Sequence, residues 1–241
     1  MRAGSEGPRT ISVVIPTLNE AVEIEGALAS VARQSGPMEV LVVDGGSADD
    51  TRARAERAGA RVIEAPRGRA RQMNAGAAAA GGSALLFLHA DTRLPPAALD
   101  AVRAALDEPA VAGGCFRTSF DAGGFWMGVW TWRLWMRWHR LAFGDRAPFV
   151  RRSAFEAVGG FPDQPLFEDL ELVRRVRREG RFVFLDAAVV TSARRFRRHG
   201  ALGQQARNVG LWLGWNAGLS PHRLKRFYPD EGTAQGDGSA G

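Results

Sequence analysis

The sequence predicts an α/β fold, with a Rossmann-like, mainly parallel sheet flanked by helices. Two observations lead there. Short aliphatic or β-branched runs alternate with segments of helical periodicity, and the runs end in polar or Gly-rich turns. Strands separated by one helix each imply right-handed crossovers and parallel pairing. The 241 residues, 45% apolar and 24% charged, can build a real core, so wholesale disorder is excluded.

The elements follow in order. Ile11–Ile15 reads as a strand stopped by Pro16, with Thr17, Asn19 and Glu20 in the turn. Ile24, Leu28 and Val31 recur at helical spacing. Val40–Val43 is a second buried-type strand ending at Asp44-Gly45-Gly46-Ser47, and Asp49, Asp50 and Thr51 suit a helix's first turn. Arg61–Ile63 is a weak third strand. Gly68-Arg69-Ala70-Arg71 leads into an Ala-rich helix over Gln72–Ala80. Leu85–Leu88 is a fourth strand that runs into His89-Ala90-Asp91-Thr92. Pro95 and Pro96 then open a helix carrying Leu99, Val102 and Leu106.

Composition narrows the classes. A single Cys, Cys115, excludes an intramolecular disulfide and a Cys-based zinc site. The opening MRAGSEGPRT has no apolar stretch of a secretory signal, and no run of 18 apolar residues suggests a membrane span. A cytoplasmic protein is the expectation. The net charge of +6 is uneven: residues 1–120 carry 13 basic and 14 acidic side chains, residues 121–241 carry 19 and 12. Lys225 is the only lysine, a bias that fits genomic base composition better than guanidinium chemistry. The second half should still attract anions.

Ligands of parallel sheets bind beyond the carboxyl ends of the strands. Thr17, Asp44 and Asp91 all fall there. A lone Asp after a strand is ordinarily a cap or turn residue. Three such clusters at one edge, with Gly-Gly beside one and Arg-x-Arg beyond another, make a binding site the better reading.

Ile11–Glu20, Val42–Thr51 and Phe87–Thr92, in this order, resemble the family 2 glycosyltransferases of the GT-A fold. Gly159-Gly160-Phe161-Pro162 followed by Leu166-Phe167-Glu168-Asp169 is similar to the family's acceptor-side segment. Gly68–Gly76 and Gly144-Asp145-Arg146 resemble stretches of a compact bacterial subgroup. The resemblance covers about residues 10–190. It implies an inverting transfer of sugar from a UDP- or GDP-type nucleotide-sugar donor, with a C-terminal helical portion on the acceptor side.

The resemblance also implies roles. Pro16, Thr17 and Glu20 would border the nucleotide together with Asn19, Gly46, Ser47, Asn74, His89 and Ala90. Asp44 would help hold the base or ribose, and Arg69 and Arg71 would meet the nucleotide or its phosphates. Asp91 matches the second acid of the family's DxD motif and would hold Mg²⁺ or Mn²⁺ against the diphosphate. Asp169, beside Glu168, matches the general base. Gly144, Asp145, Arg146 and Trp138 would lie on the acceptor side.

The sequence departs from the pattern at three positions. Gly45 stands where many relatives have a second Asp that contacts the base. His89 replaces the first Asp of DxD, and Arg146 stands where the subgroup usually has Gln. Glu168 and Asp169 also have a plainer reading, as acids opening a helix whose Arg174, Arg175, Arg177 and Arg178 supply i,i+3 and i,i+4 partners.

Gly123–Phe143 holds Trp126, Trp130, Trp132, Trp135 and Trp138, with Arg133, Arg137 and Arg140 spaced along one stripe. That pattern suits an interfacial helix on an anionic inner-membrane surface and hence a lipophilic acceptor: a polyprenyl phosphate, a glycolipid or a carotenoid-type acid. A buried helix and a homodimer face are the alternatives. One domain is expected over 10–228, with a nucleotide-sugar half (10–110) and an acceptor half (111–228), between disordered tails at 1–9 and 229–241.

Two other classes compete. A sugar-nucleotide nucleotidyltransferase would need a Gly-rich, Lys-containing loop after the first strand, and Pro16-Thr17-Leu18-Asn19 is not one. A non-enzymatic membrane or nucleic-acid binder would leave the strand-end carboxylates unexplained, and these repel phosphate unless a metal intervenes. Nucleic acid is therefore not an expected partner.

Overall fold

In the computed structural model the described residues are 9–121, 146–192, 194 and 201–227. The Trp-rich segment 123–143 with Trp138, and Gly144 and Asp145, lie outside them. Eight strands form one sheet. They are β1 Ile11–Thr17, β2 Met38–Asp44, β3 Arg61–Glu64, β4 Ala84–Phe87, β5 Thr92–Arg93, β6 Val111–Phe120, β7 Phe149–Arg151 and β8 Arg181–Thr191. Their spatial order is β3-β2-β1-β4-β7-β6-β8-β5.

The sheet is mainly parallel, as expected, with two short antiparallel strands that make it mixed. β3, β2, β1 and β4 are parallel to one another, as are β6 and β8, while β7 runs antiparallel to both β4 and β6, and β5 to β8. The four predicted strands form the four-stranded parallel part, β3-β2-β1-β4. β6 and β8 were not anticipated, and neither were the short β5 and β7.

Side chains alternate across β1, as strand geometry requires. Ile11, Val13 and Ile15 face a core with Ile24, Leu28 and Val31 of α1 (Ile24–Ala32), Ala55 of α2 (Thr51–Arg57), and Leu99, Val102 and Leu106 of α4 (Ala98–Asp107). Val14 faces the opposite core, with Met73 and Ala77 of α3 (Arg69–Ala79), Phe155 of α5 (Arg152–Ala157) and Leu172, Val173 and Val176 of α6 (Glu168–Glu179). The sheet is thus covered on both faces, which its continuous apolar runs require.

Two boundaries differ instructively. Pro16 does not stop β1, which runs on to Thr17. The Val14 carbonyl accepts from Leu88 N, so the Pro16 backbone, two residues on, also faces β4, which has ended at Phe87. The missing N–H therefore costs no ladder bond. Pro95 and Pro96 do not open α4; they precede it, and the turn is made by Ala97 at φ 56°.

The last elements are α7 (Ala201–Asn216) and α8 (Pro221–Lys225), the latter capped by the Ser220 hydroxyl accepting from Arg223 N. Leu211 and Leu224 bury against Phe167 and Leu170, at the start of α6. Among the described residues no helix is long and apolar enough to cross a membrane.

Candidate active site

The carboxyl ends of β1 and β2 lie in register, Thr17 opposite Asp44, with Glu64 of β3 beside Asp44. Asp44 is fully buried. Its carboxylate accepts from Gly46 N and Ser47 N, each at 2.9 Å, from the Ser47 hydroxyl at 2.5 Å, and weakly from the Thr17 hydroxyl. It therefore shapes the turn that follows, an Asx-type arrangement with Gly46 at φ 90°. The neighbouring loop is laced to this turn. Asn19 N donates to the Ser47 hydroxyl and Ala48 N to the Asn19 amide oxygen, both at 2.9 Å, while Glu20 N donates to the Thr51 hydroxyl at 2.8 Å. Asp49 joins them through Ala21 N and Thr51 N. Of the expected nucleotide-border residues, Thr17, Asn19, Glu20, Asp44, Gly46 and Ser47 thus form one bonded edge, with Pro16 behind it.

A buried residue that the sequence reading passed over locks this edge. The Gln72 amide donates to the Thr17 and Val43 carbonyls, at 2.7 and 2.8 Å. It fills the space beside Gly45, where an added Cβ would meet the amide group at 3.0–3.1 Å. The clue lay in the i,i+4 pair Gln72 and Gly76: a Cβ at Gly76 would strike Val14 and Val43, so α3 sits close against the sheet.

α3 also carries the side chains that reach across the molecule. The Asn74 amide and the Phe161 backbone exchange two hydrogen bonds, 2.8 and 2.9 Å, clamping the Gly159–Pro162 loop. Arg71 pairs with Asp163 through three N–H···O bonds of 2.9–3.1 Å. The Arg71 guanidinium holds the Asp163 carboxyl below the ordinary carboxylate range, and Asp163 raises Arg71 in turn. Both are exposed, so the pair fixes position more than it stabilises. Arg69 pairs with Glu168. The charges of the two arginines expected at the phosphates are thus already matched by carboxylates 92 and 99 residues away.

Glu168 and Asp169 open α6, as the plainer reading held, yet they differ from ordinary first-turn acids. Both are buried, Glu168 to 1% exposure. The helix's own arginines take Glu171 instead, with Arg175 at 3.1 Å and Arg174 at 3.7 Å. The Glu168 Oε2 atom is buried and has no hydrogen-bond partner among the described residues. Phe167, just before the pair, sits at φ 63°, a strained conformation for a bulky residue. Its ring stacks on Trp215 at 5.2 Å. Because Arg69 precedes Gln72 by one turn, its bond to Glu168 brings the start of α6 towards the ends of β1 and β2.

The Arg69–Glu168 pair predicts a thermodynamic signature. Arg69→Leu would leave a buried carboxylate unpaired and should lower unfolding stability by about 3 kcal/mol, the low end of the range for a broken buried pair, because Arg69 keeps some solvent contact. Adding Glu168→Gln should restore most of that loss. Urea denaturation of the two single variants and the double one checks this, and additive losses would exclude the coupling.

Asp91 follows β4 in a tight turn, where Thr92 N donates to the His89 carbonyl at 3.0 Å and Ala90 is buried. β8 comes alongside: Ser192 N donates to the Asp91 carbonyl at 3.0 Å, and the Thr92 and Thr191 hydroxyls lie 3.0 Å apart. Two residues on, Arg194 reaches Glu20 at 3.2 and 3.4 Å. Arg194 stands among arginines at 194, 195, 197 and 198 in the chain, yet it belongs to this edge. The Asp91 carboxylate is half-buried and takes one long bond, 3.3 Å from the Thr92 hydroxyl. Among the described residues no cluster of three or more His, Cys, Asp or Glu could hold a metal alone. One partly solvated carboxylate nevertheless fits a hard cation that takes its remaining ligands from phosphate and water. Arg146, expected on the acceptor side, is buried, 5.8 Å over the Phe184 ring.

A mainly parallel sheet covered by helices on both faces, with acids and loops gathered at its strand ends, has the GT-A fold of the glycosyltransferases it aligns with. The model of "Glycosyl transferase family 2" matches residues 12–161, and the chain belongs to that family. An uncharacterised glycosyltransferase of Mycobacterium bovis is 35% identical over 191 residues, covering 74% of this chain and 84% of its own length. A PGL/p-HBAD biosynthesis glycosyltransferase of M. bovis BCG is 42% identical over 91 residues, only 34% of this chain and 36% of that protein. Among solved structures, the mannosyltransferase PcManGT of Pyrobaculum calidifontis, in complex with GDP-Man and Mn²⁺, aligns with a TM-score of 0.64 at 22% identity, covering 92% of this chain and 68% of that one. S. aureus TarS 1–349 in complex with UDP-GlcNAc aligns at 0.63 and 19% identity, covering 76% of this chain and 58% of TarS 1–349. At these identities the structural likeness concerns the fold.

Proposed function

We propose that this chain transfers a sugar from a UDP- or GDP-type nucleotide-sugar to an acceptor hydroxyl or carboxyl, with inversion. The observation that carries the reading is the buried Glu168-Asp169 pair tied through Arg69 to the helix that seals the strand ends. The bonded edge of Thr17, Asn19, Glu20 and Ser47 receives the nucleotide, with Asp44 acting indirectly by holding the turn. Asp91 is the residue to hold Mg²⁺ or Mn²⁺, which when bound would stabilise the charge of the departing diphosphate.

Asp169 takes the acceptor's proton as the acceptor oxygen bonds to the anomeric carbon. The bond from that carbon to the phosphate oxygen breaks in the same step, and the nucleoside diphosphate leaves with its electron pair. Glu168, paired with Arg69, orients the turn. No covalent sugar–enzyme species is needed. The acceptor is lipophilic and is met at the inner face of a membrane.

A thermal-shift series with UDP- and GDP-sugars, with and without Mn²⁺, tests the reading. A donor at 100 times its Kd adds about 2.7 kcal/mol, a rise of about 5–10 °C for a chain of this size. No rise with any nucleotide-sugar in the presence of metal would overturn it.

A further inference from the structure

The helical pair α7 and α8 has two unlike faces. The inner one, through Leu211, Leu224 and Trp215, packs on Phe167 and Leu170 around the Glu168-Asp169 turn. The outer one leaves large apolar side chains in water: Val209, Leu213 at 55% exposure, Leu219, and Phe227 at 70%. Val209 and Leu213 are one helical turn apart, so they share a face. His222, Arg223 and Arg226 are exposed on α8, beside Leu219 and Phe227 in the chain.

The charge carried by these two helices has one sign. Residues 201–227 contain no Asp or Glu but include Arg207, Arg223, Lys225 and Arg226, and Asp163, the acid near His222, is already paired with Arg71. An exposed apolar surface implies a partner, and an excess of cations beside it favours an anionic one. α7 has 16 residues and is about 24 Å long, too short for the roughly 30 Å of a bilayer core, with Arg207 its only charged residue. A helix of this kind lies in the interface, its aliphatic side chains among the acyl chains and its basic neighbours on the headgroup phosphates.

We propose that the outer face of α7 and α8 docks this protein on an anionic lipid bilayer. The docking would set the Glu168-Asp169 turn about one helix diameter, roughly 10 Å, from the headgroups. Only that last consequence, delivery of a lipid-borne acceptor to Asp169, rests on the function proposed above.

The test is flotation of the full chain with vesicles of phosphatidylcholine, alone or mixed with phosphatidylglycerol, at low and high salt. Two variants separate the contributions: Leu213→Ser with Phe227→Ser removes apolar contacts, and Arg223→Gln with Arg226→Gln removes charge. All four side chains are exposed, so the fold should survive, and circular dichroism verifies it. The wild type should float with the anionic vesicles and weaken with salt. Each basic residue near an anionic surface contributes about fivefold, so the charge variant should bind about 25-fold more weakly. The apolar variant should lose binding even at low salt. Wild type that fails to float, floats equally with phosphatidylcholine alone, or floats unchanged in both variants overturns the proposal. Self-association without flotation would assign the face to a second copy and overturn it too. A chain that floats but binds no nucleotide-sugar in the thermal-shift series keeps this inference and loses the functional one.

Discussion

Asp169→Asn should leave nucleotide-sugar binding intact and cut transfer by about 10²–10⁴-fold, the span of general-base losses. The substitution preserves shape at a buried position, so the turn that opens α6 should persist. The Leu170 N–H, now bonded to Asp169 Oδ1 at 2.8 Å, can still donate to the amide oxygen. What is lost is a group able to take the acceptor's proton. Single-turnover transfer at saturating donor and acceptor, beside donor binding by calorimetry, separates the two effects. Unchanged transfer would place the base elsewhere.

Asp91→Asn should abolish the Mn²⁺-dependent part of donor binding while leaving metal-free nucleotide binding almost untouched. The turn should tolerate the change, because β8 is tied to residue 91 through the backbone carbonyl and not the carboxylate. Since the described residues offer no cluster of acids to take over, the loss should be nearly complete. Donor titrations with Mn²⁺ and with EDTA check it. A variant with wild-type metal dependence would remove Asp91 from the metal site.

The four-stranded parallel part of the sheet was legible because its strands are continuous apolar runs, the signal of burial on both faces. β6 was not, because Gly113 and Gly114 interrupt its apolar pattern. The structure needs them where they are: a Cβ at either would meet a backbone oxygen, of Phe149 or Val183, at 2.5–2.6 Å. β8 is broken by Asp186 and pairs with β6 through register shifts, so its pattern is blurred. At the site, the residue types at the strand ends could be read, but not their partners. Arg69, Arg71 and Arg194 resembled donor-facing or solvated charges until the fold brought Glu168, Asp163 and Glu20 to them across 92–174 residues. Pairings at that separation leave no periodic trace in a single chain.

The contact between Gly45 and Gln72 constrains how this enzyme can change. The space beside position 45 is taken by an amide anchored to two main-chain carbonyls. The two positions are therefore coupled. A side chain at 45 must press on the Gln72 amide, and replacing Gln72 alone strips donors from the ends of β1 and β2. A larger residue enters at 45 most readily when both positions change together.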